Sequence, residues 1–150
     1  MVPNCVRRCQ ELPGQHLFQF LDDAGAAHDI DSTMVNDYLH RVMGQAFTAK
    51  DFRTWNATQR AVELLSAMAV PAGNERVCNA CIVNVVKTIA AELRNTPAVC
   101  RKSYINPLAF VAWRSGHLRL TRHQRPHRAA DWERRTLQFL RSCRSGQIRA

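Results

Sequence analysis

The sequence predicts a mainly helical domain with a small β-hairpin at its amino end. Three observations lead there. Apolar residues recur at three- and four-residue spacing through most of residues 32–143. Helix punctuation breaks that pattern at Gly44, at Pro71-Ala72-Gly73-Asn74, and at the pairs Thr96-Pro97 and Asn106-Pro107. Only the stretch before residue 31 shows short apolar runs around an Asp/Gly turn.

Taken in order, Pro3 suits the first turn of a short helix through Cys9 and Leu12, which Pro13-Gly14 breaks. His16-Leu17-Phe18-Gln19-Phe20 reads as a strand, Asp22-Asp23-Ala24-Gly25 as a turn, and Ala26 to Ile30 as the returning strand. Ser32 is the expected cap of a helix carrying Val35, Tyr38, Leu39, Val42 and Met43, and Gly44 ends it. Thr48-Ala49-Lys50-Asp51 resembles a capping box opening a long helix. Its expected core stripe is Phe52, Trp55, Val62, Leu65 and Ala69. The next helix runs from about Glu75 to Leu93 with Cys78, Ile82, Val85, Val86, Ile89 and Leu93 inward. Thr96-Pro97 and Asn106-Pro107 each start a further helix, the second ending at Gly116. Arg119 to Arg128 reads as an irregular linker. Asp131 is the expected cap of a last amphipathic helix built on Trp132, Phe139, Leu140 and Cys143. The expected division is a domain over 1–118 and an Arg-rich linker with a C-terminal helix over 119–150.

The 150 residues suffice for one domain with its own core, and 46% of them are hydrophobic. No apolar run approaches the ~20 residues that span a bilayer, and the first residues form no apolar signal core. The six cysteines include Cys78-Asn79-Ala80-Cys81, but that pair lies in an apolar helical run rather than a zinc knuckle. Reduced thiols and no metal are expected. The net charge of +9 is concentrated late: nine arginines against two acids fall between His117 and Ala150. Such a tail suits a polyanion, or else is a solvated terminus.

Two segments carry chemistry: Thr48-Ala49-Lys50-Asp51-Phe52-Arg53-Thr54-Trp55, and Asn95-Thr96-Pro97-Ala98-Val99-Cys100-Arg101-Lys102-Ser103-Tyr104-Ile105. Together they resemble the catalytic signatures of bacterial and poxvirus-type type IB DNA topoisomerases, in the C-terminal part of the catalytic domain. Arg7-Arg8-Cys9-Gln10-Glu11-Leu12-Pro13-Gly14-Gln15 and Leu17 to Phe20 are weaker matches. The resemblance implies the helical catalytic fold shared by topoisomerase IB and tyrosine recombinases. It implies an enzyme that cuts one strand of double-stranded DNA with a tyrosine. The 3′ phosphate is held covalently, the duplex rotates and the strand is resealed, without ATP, metal or other cofactor. Tyr104 matches the nucleophile, Arg53 an arginine on the scissile phosphate, and Asn95 a phosphate-contacting histidine or asparagine. Lys50, Arg101 and Lys102 fit DNA-backbone contacts. A monomer that is cytoplasmic, nucleoid-associated and free of membrane is implied.

Elementary chemistry suits those roles. A phenol has a pKa near ~10, so only about a thousandth is ionised at neutral pH. It needs a neutralised phosphate and a route for its proton. An arginine offers a forked, permanent charge to two phosphate oxygens, and an asparagine amide adds a neutral donor. Arg53 is expected in the first turn of its helix, where free N–H groups also favour an anion.

The sequence also departs from that family. The family carries an earlier arginine, and a lysine on a β-hairpin reading like Arg-Gly-Lys-Ser-Gly. This sequence contains no such segment, and its lysines are Lys50, Lys87 and Lys102. Asn56-Ala57, Arg94 and Asn106 stand where Ala-Gly, Gly and His are usual. The expectation is a truncated chain missing an upstream DNA clamp and the general-acid lysine. That lysine contributes about 10²- to 10⁴-fold as a proton donor. Two alternatives stand beside the enzyme: a non-enzymatic DNA-binding remnant using the basic tail, and a tyrosine recombinase. The recombinases carry a His-x-x-Arg box before the tyrosine, whereas residues 75–93 hold no histidine.

Overall fold

Hydrogen-bonded turns and caps delimit the elements of this computed structural model, which describes residues 6, 7, 9, 18–44, 47–118, 120, 126 and 128–144. The expected break at Pro13-Gly14 and the His16-Leu17 start of the first strand lie outside them, while Val6, Arg7 and Cys9 are helical. The chain divides into two units, Met1–Ala49 and Lys50–Ala150.

In the first unit, β1 (Gln19–Leu21) pairs antiparallel with β2 (Ala27–Asp29), with Phe20 opposite His28. Asp22 makes the turn. Its Oδ1 accepts the N–H groups of Ala24 and Ala26 at 3.0 and 2.8 Å, and its Oδ2 bonds to His28 Nε2 at 2.7 Å. The His28 bond, then the backbone donors, hold the Asp22 carboxyl below its ordinary range. The Phe20 and His28 rings stack at 5.2 Å. Helix α1 (Ser32–Met43) is capped by Asp31, one residue earlier than expected, because the Asp31 carboxylate accepts the Met34 N–H. Gly44 closes it at φ 62°, a left-handed geometry in which only glycine avoids a Cβ penalty. No residue of α1 is buried, so the apolar spacing gave the helix but not a core face.

The second unit holds α2 (Ala49–Ser66), α3 (Glu75–Glu92), α4 (Pro97–Ser103), α5 (Leu108–Arg114) and α6 (Ala129–Arg144). Thr96 caps α4 by accepting the Val99 N–H at 3.3 Å, with proline at the first helical position. Asn106 does the same for α5 through its side chain, which accepts the Leu108 N–H at 3.0 Å. α6 starts at Ala129, so Asp131 lies in its first turn and pairs with Arg134 instead of capping.

α3 buries the face the sequence indicated, from Cys78 to Ile89, with Leu93 half-buried. α2 does so only in part. Its buried residues are Ala57, Thr58, Ala61, Val62, Leu65 and Ser66, whereas Phe52 is 49% exposed, Ala69 is exposed and Trp55 is only half-buried. The stripe holds at Val62 and Leu65, but small residues such as Ala57 and Ala61, which let helices approach closely, take the core place expected of Phe52 and Trp55. Leu118, Leu120, Trp132 and Phe139 join the same core as α2–α5. Trp113 is wholly buried, and its indole N–H donates to Met68 O at 3.1 Å. No helix among the described residues is long and apolar enough to cross a membrane.

Leu65, at 0% exposure, and Phe52 test which part of the stripe is core. Leu65→Ala is expected to cost about 2–5 kcal/mol in urea denaturation. Phe52→Ala is expected to stay within about 1 kcal/mol. Equal losses would return Phe52 to the core.

Candidate active site

The site grows from the end of α3. Leu93 is the last residue in helical geometry. The Arg94 N–H bonds to Ala91 O at 3.2 Å, and the Asn95 N–H reaches back to Ala90 O at 2.8 Å. These are the two bonds of a Schellman turn, which requires a left-handed residue just past the cap. Arg94 fills that position at φ 52°, the sole non-glycine with positive φ among the described residues. A residue with a Cβ takes this geometry at a cost of roughly 1–2 kcal/mol. Glycine is the residue this geometry prefers, so Arg94 stands there at a cost. Thr96 then caps α4 at once, so Asn95 is held between two helix ends. Its side chain is half-buried and makes no hydrogen bond among the described residues.

The turn leaves the Leu93 carbonyl without an intrahelical donor. Arg53 supplies one: its Nη2 donates to Leu93 O at 2.8 Å. A cation there is also favoured by the negative end of the helix dipole. The same guanidinium lies over the Tyr104 ring, with Cζ 5.4 Å from the centroid. One hydrogen bond and one ring contact leave most of the five guanidinium N–H donors to other acceptors. Arg53 is the fifth residue of α2 and so lies past the first turn where it was expected; Leu93 O and the Tyr104 ring, rather than the free N–H groups of the helix start, fix its place.

Tyr104 ends α4, with its N–H bonded to Cys100 O at 3.1 Å. Its half-buried ring packs on the core. Beneath it, Cys100 is fully buried. Burial pushes that thiol up from its ordinary pKa, and the nearby Arg53 charge acts the other way.

Arg53, Tyr104 and the turn bearing Asn95 therefore meet in one place. The expected DNA contacts are more scattered. Lys50 lies one turn before Arg53 and is exposed, as is Lys102. Arg101 leans over the Phe110 ring at 5.6 Å. Two supports escaped the sequence reading. Arg60, two turns after Arg53, grips both Glu92 oxygens from Nε at 3.1 Å and reaches Glu63 at 2.7 Å. It fastens α2 to the end of α3, and the paired carboxylates, Glu92 first, hold its proton more tightly than usual. The second is Thr58, whose contacts are taken up below. Neither carries a local signal, because each pairs residues on different helices.

Two cavities of this unit lie elsewhere. One of about 200 Å³ is lined by Val62, His117, Arg135 and Phe139. The other, of about 490 Å³, is lined by Pro71, Asn74, Glu75 and Arg114. No group of three or more His, Cys, Asp or Glu suited to a metal occurs among the described residues.

A helical unit presenting a tyrosine beside an arginine and an asparagine turn defines a class that comparison makes explicit. The family model described as the catalytic core of eukaryotic DNA topoisomerase I matches residues 3–125, and the chain belongs to that family. It is similar to the DNA topoisomerase 1B of Acanthamoeba polyphaga mimivirus, 29% identical over 107 residues. The match covers 67% of this chain and 32% of the viral protein, so the chain spans about a third of that relative's length.

The strained turn gives a direct test. Arg94→Gly is expected to raise stability by about 1 kcal/mol in denaturant unfolding, by relieving the left-handed backbone. A loss of stability would show that the Arg94 side chain, not its φ, matters there.

Proposed function

We propose that the chain carries the strand-transfer part of a type IB topoisomerase site, with Tyr104 as nucleophile. The Tyr104 phenol oxygen attacks the phosphorus of one DNA phosphodiester and loses its proton. The bond from phosphorus to the 5′ oxygen breaks, that oxygen takes a proton and leaves as a hydroxyl, and a 3′-phosphotyrosyl bond remains. Resealing is the reverse, so energy is conserved in the ester and no ATP is consumed. No cofactor enters the step. The observation that carries this reading is the contact of the Arg53 guanidinium with the Tyr104 ring while it is anchored to the turn holding Asn95.

In this reading Arg53 neutralises the phosphate as charge builds on its equatorial oxygens, and Asn95 donates a second bond. An anchored guanidinium loses little freedom when the phosphate arrives, as electrostatic preorganisation requires. Lys50, Arg101 and Lys102 add DNA-backbone charge near the site. An asparagine amide has no proton to give and arginine holds its own tightly, so a site of these three residues without a general acid would be slower by about 10²- to 10⁴-fold.

A second reading, DNA binding without chemistry, draws on α6, where Arg134, Arg135, Arg141 and Arg144 are all exposed. Deleting the tail would not test it, because Trp132 and Phe139 belong to the core. Neutralising those arginines would.

The test uses a duplex from which the cleaved strand end diffuses away, trapping the adduct. The intact chain is expected to form a covalent DNA adduct that Tyr104→Phe abolishes. Arg53→Ala is expected to slow its formation about 10²- to 10³-fold, and Asn95→Ala to slow it less. DNA binding without adduct, lost when the α6 arginines become glutamine, would replace this reading with the second.

A further inference from the structure

The nucleophile's backbone is held by a hydroxyl from another helix. Thr58 is 2% exposed, at the middle of the buried face of α2. Its Oγ1 donates to Tyr104 O at 3.3 Å and accepts the Asn106 N–H at 3.0 Å. One hydroxyl thus grips the link between α4 and α5 on both sides of Ile105. The behaviour differs from that of Thr54 and Thr88. Those two turn back to bond Lys50 O and Asn84 O of their own helices at 3.0 and 3.1 Å, the usual choice for a helical threonine. Thr58 is used for a contact 46 and 48 residues away in sequence.

The position matters because Arg53 and Thr58 share α2. The helix that aims the guanidinium at the Tyr104 ring also fixes the backbone from which that ring projects. Both groups are thus tied to one helix. Ala57 and Ala61, each 0% exposed, flank Thr58 and are small enough to let the link lie close. The link contributes its own restraint, since the Ile105 N–H bonds to Cys100 O at 3.1 Å and Ile105 is buried.

We infer that Thr58 is a positioning residue, whose buried hydroxyl sets the placement of the Tyr104 phenol relative to the Arg53 guanidinium. This rests on the reading of Tyr104 as nucleophile, but its structural content stands apart from that chemistry. A misplacement of about 1 Å can cost on the order of 10²-fold in rate.

Two variants separate positioning from folding. Thr58→Val keeps the shape and removes the hydroxyl, and Thr58→Ser keeps the hydroxyl and removes a methyl. Amide exchange of Asn106 and nuclear Overhauser contacts between the Arg53 side chain and the Tyr104 ring are read in each, on chains shown to be folded by their melting transitions. Thr58→Val is expected to lose Asn106 protection and the Arg53–Tyr104 contacts, and Thr58→Ser to keep both. On the trapping duplex, Thr58→Val is expected to form adduct at least about tenfold more slowly with unchanged DNA affinity. Thr58→Ser is expected to restore most of the rate. A Thr58→Val chain with the wild-type contacts and protection would overturn the inference, as would one with the wild-type rate. Should the wild-type chain form no adduct, the nucleophile reading fails and the contacts alone decide the role of Thr58.

Discussion

The arrangement depends on one unsatisfied carbonyl. Ending α3 in a Schellman turn strands Leu93 O, and a buried or half-buried helix end must find a donor from outside. Arg53 is that donor, at 2.8 Å, and the bond draws the start of α2 to the end of α3. With Arg60 gripping Glu92 two turns further on, the two helices are fastened where Asn95 emerges. The exposure of the Arg60–Glu92 pair limits its worth to about 1 kcal/mol or less. Its value lies in direction: it fixes which part of α2 faces the turn, and so where Arg53 points.

In the proposed reading, the same bond lets a structural arginine also be the phosphate-binding one. A free arginine side chain loses about 2 kcal/mol of rotamer entropy when immobilised. Arg53 is already held by a carbonyl and a ring, with donors left over. The strained Arg94 sits at the centre of this assembly, and strain of a kcal/mol or two persists only where surrounding contacts over-determine it. Here those contacts are the two turn bonds, the capping by Thr96 and the Arg53 bond.

Much of this was legible in the sequence, for local reasons. α3 and the caps at Thr96 and Asn106 were visible because punctuation and periodicity act over a few residues. The hairpin was visible from Asp22 and Gly25. The buried face of α2 was legible only in part, at Val62 and Leu65. Phe52 and Trp55 outweighed Ala57 and Ala61 by hydrophobicity, yet close helix approach selects small residues. Ser32 stands beside Asp31, which has the same capping chemistry, while α6 begins at Ala129, two positions before Asp131. Arg53, Asn95 and Tyr104 were named from motifs 40 to 50 residues apart. What brings them together, the Leu93 carbonyl and the Thr58 hydroxyl, is tertiary and leaves no local trace.

In the proposed site Arg53, Asn95 and Tyr104 gather around one phosphate. A crystal structure of the chain with a short duplex and orthovanadate, a mimic of the phosphorus in mid-transfer, tests it most directly. The vanadate should bond to the Tyr104 oxygen, with the Arg53 guanidinium and the Asn95 amide each within hydrogen-bond distance of its oxygens. An anion bound only along the arginines of α6, with the Tyr104 ring turned into the core and Asn95 remote from it, would contradict the account.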